Sequence, residues 1–165
     1  MVYGGLESST EDTGILAAWN ATDLSFILFT ETMQKGMPWV AIDTSSRLLY
    51  SAVWNDRCQL QVYNVDTFEH VGSVTAPSGL PKEIQGGAFY QGNLYVSVNG
   101  NCSVYSINIS TGDVQFVLSD QPYDKHDYEM EGLTFWDLTA RGLGVMHMYG
   151  NFMSVWKKAI RSYAP

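Results

Sequence analysis

The chain has 165 residues, enough for one domain of ordinary size. It is 45% hydrophobic and only 16% charged, with 5 Trp, 10 Tyr and 7 Phe, which excludes a disordered chain, a coiled coil and a collagen-like segment. Nine Lys plus Arg against 17 Asp plus Glu leave a net charge of −8, which argues against a nucleic-acid partner. No apolar run approaches the ~18 residues of a membrane span.

Taken in chain order, the predicted elements are short strands. Gly14 to Phe29 reads as a strand, a turn at Asn20 and a second strand. Met37 to Trp54 (MPWVAIDTSSRLLYSAVW) reads as an apolar strand, a polar corner at Asp43 and another apolar strand. Gln59 to Val74 repeats the first plan, with Asn64 where Asn20 stood. Ile84 to Asn99 repeats the second with its corner at Tyr90, and Ser103 to Leu118 repeats the first with Asn108. Met130 to Tyr149 gives the second plan once more, with its corner at Trp136. The corners lie 47 and 46 residues apart, and the three Asn are 44 apart each time. Asn tolerates left-handed backbone and bonds its own main chain, which suits a tight hairpin.

A four-stranded unit recurring every 44–47 residues predicts an all-β β-propeller; the alternative is an antiparallel β-sandwich. The expected blade parts are 2–33 (the last three strands of a blade), 37–76 and 84–119 (whole blades) and 130–163 (the first three strands of another), all in one domain over 1–165. That makes about 3.5 blades, fewer than the four to eight of a closed ring, so the remaining blades are expected from a longer chain or a homo-oligomer.

The stretch Glu131-Gly132-Leu133-Thr134-Phe135-Trp136-Asp137, followed by two apolar strands, resembles the repeat of six-bladed propellers of the SMP-30, strictosidine-synthase and NHL type. Residues 87–97 (GAFYQGNLYVS) resemble the same unit. The resemblance implies a divalent metal held by a Glu before Gly at the channel mouth, which falls on Glu131, with calcium as the cofactor and lactone hydrolysis as the activity. Gln85 and Pro38 stand where the family's other blades supply ligands.

Three readings follow. The first is a non-catalytic module, without cofactor, binding a protein or glycan through its loop face. The second is the calcium-dependent lactonase-like hydrolase. The third is a structural domain that pairs through open blade edges. Candidate ligand contacts are Gln85 and Glu131 at the start of inner strands, Trp39 beside them as a stacking platform, and Asp124 and Asp127 in an acidic connection between blades. The plain alternatives are a solvated carboxylate at Glu131, a solvated loop at 124–131 and packing between blades for Trp39. His70, in a turn, carries no signal, and no Gly-x-Ser-x-Gly or phosphate loop is present.

Two cysteines, Cys58 and Cys102, open equivalent strands of adjacent blades, too far apart for the ~5.5 Å of a bridge, and two thiols are expected. Three glycosylation acceptors, Asn20, Asn101 and Asn108, lean the expected location towards the extracellular side.

Overall fold

The computed structural model describes the backbone of residues 1–7, 13–55, 57–119, 128–137, 145–153 and 157–163, and the side chains of 1–5, 13–55, 57–119 and 130–135. Fourteen strands occupy these residues: β1 Val2–Glu7, β2 Gly14–Trp19, β3 Phe26–Glu31, β4 Ala41–Asp43, β5 Leu48–Ser51, β6 Gln59–Asn64, β7 His70–Thr75, β8 Ile84–Tyr90, β9 Asn93–Val98, β10 Ser103–Ile107, β11 Val114–Ser119, β12 Tyr128–Asp137, β13 Val145–Met153 and β14 Lys157–Tyr163. They form four sheets in succession: β1-β2-β3, β4-β5-β6-β7, β8-β9-β10-β11 and β12-β13-β14. Every pairing is antiparallel between sequence neighbours. These are consecutive up-and-down blades, hereafter blades 1 to 4, and they bear out the expected propeller content of two full blades flanked by two partial ones.

The Asn hairpins explain the outer edge of each blade. Asn20, Asn64 and Asn108 each accept, through Oδ1, a hydrogen bond from the backbone N–H two residues on, at 2.8 to 2.9 Å. In each, the residue four positions on donates its N–H back to the Asn carbonyl. That fifth residue has positive φ: Leu24 (57°), Phe68 (60°) and Gly112 (77°). Only Gly is at ease there, so the first two hairpins hold a strained side chain that the third avoids.

Blades stack face to face. Leu16 and Ala18 of blade 1 pack on Leu49 and Tyr63 of blade 2, together with buried Met37 and Phe68. Tyr50, Ala52, Leu60 and Val62 of blade 2 pack on Leu94, Val96, Val98 and Ile107 of blade 3 in the largest buried cluster. Val104, Met130 and Leu133 join blades 3 and 4. An aromatic contact recurs across the joints. Tyr50 packs on Phe89 with centroids 5.0 Å apart, and one blade later Tyr95 packs on Phe135 at 4.8 Å. The outer face of blade 1 differs: Val2, at the place of fully buried Leu49 and Leu94, is 44% exposed, and Phe26 and Phe29 are exposed beside it.

Candidate functional site at the start of the inner strands

The innermost strands of blades 3 and 4 begin alike. In β8 the register with β9 shifts between Ile84 and Gly86, leaving Gln85 in a bulge. In β12 the register with β13 shifts between Met130 and Leu133, leaving Glu131 and Gly132 in a bulge. A bulge turns a side chain out of the ladder's alternation, and both Gln85 and Glu131 are half-buried while Ile84 and Met130 before them are buried. Blade 2 has no such feature. Pro38 stands at the matching place, cannot donate to a ladder, and the inner strand β4 starts only at Ala41.

The two strands touch through their glycines. A Cβ on Gly86 would lie 2.7 Å from Cα of Gly132 and 2.9 Å from the Glu131 carbonyl oxygen, so only a hydrogen fits. The fully buried Ser97 of β9 fastens the same point, its hydroxyl donating to the Glu131 carbonyl at 2.5 Å. Asn99, just beyond β9, accepts a bond from the Met130 N–H at 3.2 Å. Gln85 and Glu131 are therefore carried by backbones in contact, at equivalent places.

Trp39 lies beside that layer, against Gly87, but is buried there. It is 4% exposed, buried against Ala41 and filling the space that Gly87 leaves by having no Cβ. A stacking platform must show a face, and Trp39 shows none; the packing reading of this residue is the one the geometry supports. Its indole N–H is buried without an acceptor among the described residues. Asp124 and Asp127 lie outside the described residues. Among the described residues no three His, Cys, Asp or Glu side chains lie close enough together to hold a metal ion.

The remaining sequence candidates are at the periphery. Asn20, Asn101 and Asn108 are all exposed. Cys58 is exposed and Cys102 buried, and no disulfide joins them. Sequence reasoning passed over a second polar group. Gln34, Gln61, Tyr63 and His70 line a cavity of about 440 Å³ with Met33, Lys35 and Val53. The missed signal was a comparison within the repeat, because blade 3 holds Tyr105, Ile107 and Val114 where blade 2 holds Gln61, Tyr63 and His70.

No protein-family model matches the chain, and no curated protein matches it significantly. Solved structures do. Glutaminyl cyclase of Myxococcus xanthus superposes with a TM-score of 0.64 at 14% identity, covering 96% of this chain and 71% of that one. Sqt1 of Saccharomyces cerevisiae superposes at 0.53 and 12% identity, covering 93% of this chain and 42% of that one. The chain is a partial β-propeller. At these identities the likeness shows the fold alone, and it does not single out the SMP-30 type that residues 131–137 resemble.

Proposed function

We propose that this chain is a non-catalytic β-propeller module that binds a protein or glycan through the loop face on which the inner strands begin, outside the cell and without a cofactor. The observation that carries the reading is the pair of equivalent bulges holding Gln85 and Glu131 half-exposed on strands whose backbones touch. Such a pair offers a carboxylate and a carboxamide to one partner group, and a chain of net charge −8 favours a partner with cationic or hydroxyl donors at that point. In Gly86 and Ser97 the backbone that presents them is held rigidly, as a recognition surface requires.

The test is binding of the intact chain to a glycan array and to a display library of extracellular proteins. A specific partner should emerge whose affinity falls about tenfold or more in Glu131→Gln, since a charge-assisted hydrogen bond contributes roughly 1.5–3 kcal/mol. Partners indifferent to Glu131→Gln and Gln85→Ala would overturn the proposed face. The calcium-dependent hydrolase is separated by thermal unfolding in millimolar Ca²⁺. A bound ion raises Tm by favouring the folded state, and a rise lost in Glu131→Gln would replace the binding module with a metal site.

A further inference from the structure

Successive blades are joined in one repeated way. The following blade turns one cross-strand pair toward its predecessor, Leu49 with Tyr63 in blade 2 and Leu94 with Ile107 in blade 3. All four residues are at most 2% exposed, because the preceding blade covers them. Blade 1 carries the same pair as Val2 and Trp19, yet Val2 is 44% exposed and Trp19 only half-buried. The Trp19 indole lies over Gly4, where a Cβ would come within 3.0 Å of Cζ3. It meets the ring of Phe26, itself 56% exposed, edge to face at 6.4 Å. Phe29 carries no such signal, since Phe116 at the same place in covered blade 3 is also 60% exposed.

The covering face is repeated as well. By strand register it consists of Tyr3, Gly5, Leu16 and Ala18 in blade 1, and of Tyr50, Ala52, Leu60 and Val62 in blade 2. In blade 3 the same places hold Tyr95, Ser97, Val104 and Ser106. In blade 4 they fall on Met148, Gly150, Ile160 and Ser162. None of these four is charged, although Lys157, Lys158 and Arg161 belong to the same strand as Ile160 and Ser162. Blade 4 thus repeats the sequence pattern of a covering face, and no further sheet of the described residues follows it. Each copy carries one such face at blade 4 and one uncovered face at blade 1, and the exposure of Val2 shows that the two do not meet within a copy.

We propose that blade 4 of a second copy of this chain covers the Val2, Trp19 and Phe26 face, and that two copies close head to tail. The joint continues the contact already made three times within the chain, with the same positions on either side. A heterologous joint of this kind closes into a ring or runs on as a filament. One copy contributes four sheets, so two make eight, the upper end of closed propellers, whereas three would exceed it. The joint is separate from the Gln85 and Glu131 rim and does not rest on the function proposed for it.

Light scattering of the full chain at about 100 μM, a concentration that fills a micromolar interface, should give twice the 18.4 kDa of one copy. The double variant Val2→Asp with Phe26→Asp places carboxylates on one wall of the joint, and Ser162→Arg places a guanidinium on the other. Each should keep the wild-type circular dichroism and weaken the dimer about tenfold or more. Mixing the two variants should restore dimers, because one joint is then intact and the other opposes Asp to Arg. The exposed single variant Phe26→Asp gives the same reading if the double variant misfolds. The proposal falls if the wild type stays at one copy or grows beyond two with concentration. It falls equally if the dimer survives the Asp substitutions. A dimer lost in the Asp variant but untouched by Ser162→Arg would mean two blade 1 faces pairing with each other, and would overturn the head-to-tail joint.

Discussion

Blades 2 and 3 share strand order, register and hairpin, yet they present opposite chemistry to the blade before them. Blade 3 offers Val96 and Ile107, both buried, to the apolar face of blade 2. Blade 2 offers fully buried Ser51 and buried Tyr63 instead, and the linker residue Gln34 enters to bond both. The same backbone thus accepts either an oil-like or a hydrogen-bonded joint, provided every buried polar group in the second finds a partner. The polar joint lines the cavity of about 440 Å³.

The comparison extends to the glycines, where the largest effect is expected. Gly86→Ala forces a methyl into the backbone of Gly132 and should destabilise the chain by about 3 kcal/mol or more by chemical denaturation. Gly132→Ala meets no atom of the described residues within 4 Å and should be nearly neutral. Equal costs would break the account of the contact between β8 and β12.

Ser51→Val gives blade 2 the residue of blade 3, and tests whether the polar joint depends on its network. It removes the hydroxyl that donates to the Trp39 carbonyl at 2.7 Å and accepts from Gln34. A loss of about 1–3 kcal/mol is expected, since these buried partners are left short of a bond. A neutral outcome would mean that the two joints are interchangeable at this position.

The hairpins sharpen the same contrast with the opposite sign. Leu24→Gly places in the first hairpin what Gly112 supplies in the third. Because Leu24 is 66% exposed it loses little packing, and the variant should gain up to about 1 kcal/mol. Phe68→Gly relieves the same strain but empties a buried position, and should destabilise.

The smallest effect concerns the turn between β4 and β5, where blade 2 has Asp43 and blade 3 has Tyr90. Burial raises the pKa of Asp43, but bonds from the hydroxyls and N–H groups of Ser45 and Ser46 outweigh it and hold the carboxyl below its ordinary value. A lowered folded pKa contributes stability above the unfolded value of about 3.9, lost as pH falls through the folded value. Asp43→Asn should therefore lower Tm slightly at neutral pH and converge with wild type in acid. A gap in Tm that persists unchanged below pH 3 would point to packing instead.

Much of the fold was legible because it is local and repeated. Three Asn at one spacing place three hairpins, and alternation within segments such as Leu94 to Val98 places the strands between them. The equivalence of Gln85 and Glu131 was legible for the same reason, since each precedes a Gly in the same segment. Packing between blades was already the plain alternative for Trp39; what was not legible is the space it fills, opened by Gly87 one blade later. The cavity was hidden more deeply. His70 looks like an ordinary turn residue until Gln34, 36 positions earlier, is seen across the joint.

The Asn hairpins also bear on which amides an enzyme can dress with sugar. Glycan attachment takes the amide nitrogen, and the turns at Asn20 and Asn108 are held by the side-chain oxygen, so a saccharide there leaves each turn intact. Asn101 is the reverse case: its Nδ2 donates to the Tyr105 hydroxyl at 2.8 Å, and a sugar on that atom competes with the contact. Three sequence signals that look alike thus divide two to one by which end of the carboxamide the fold has already claimed.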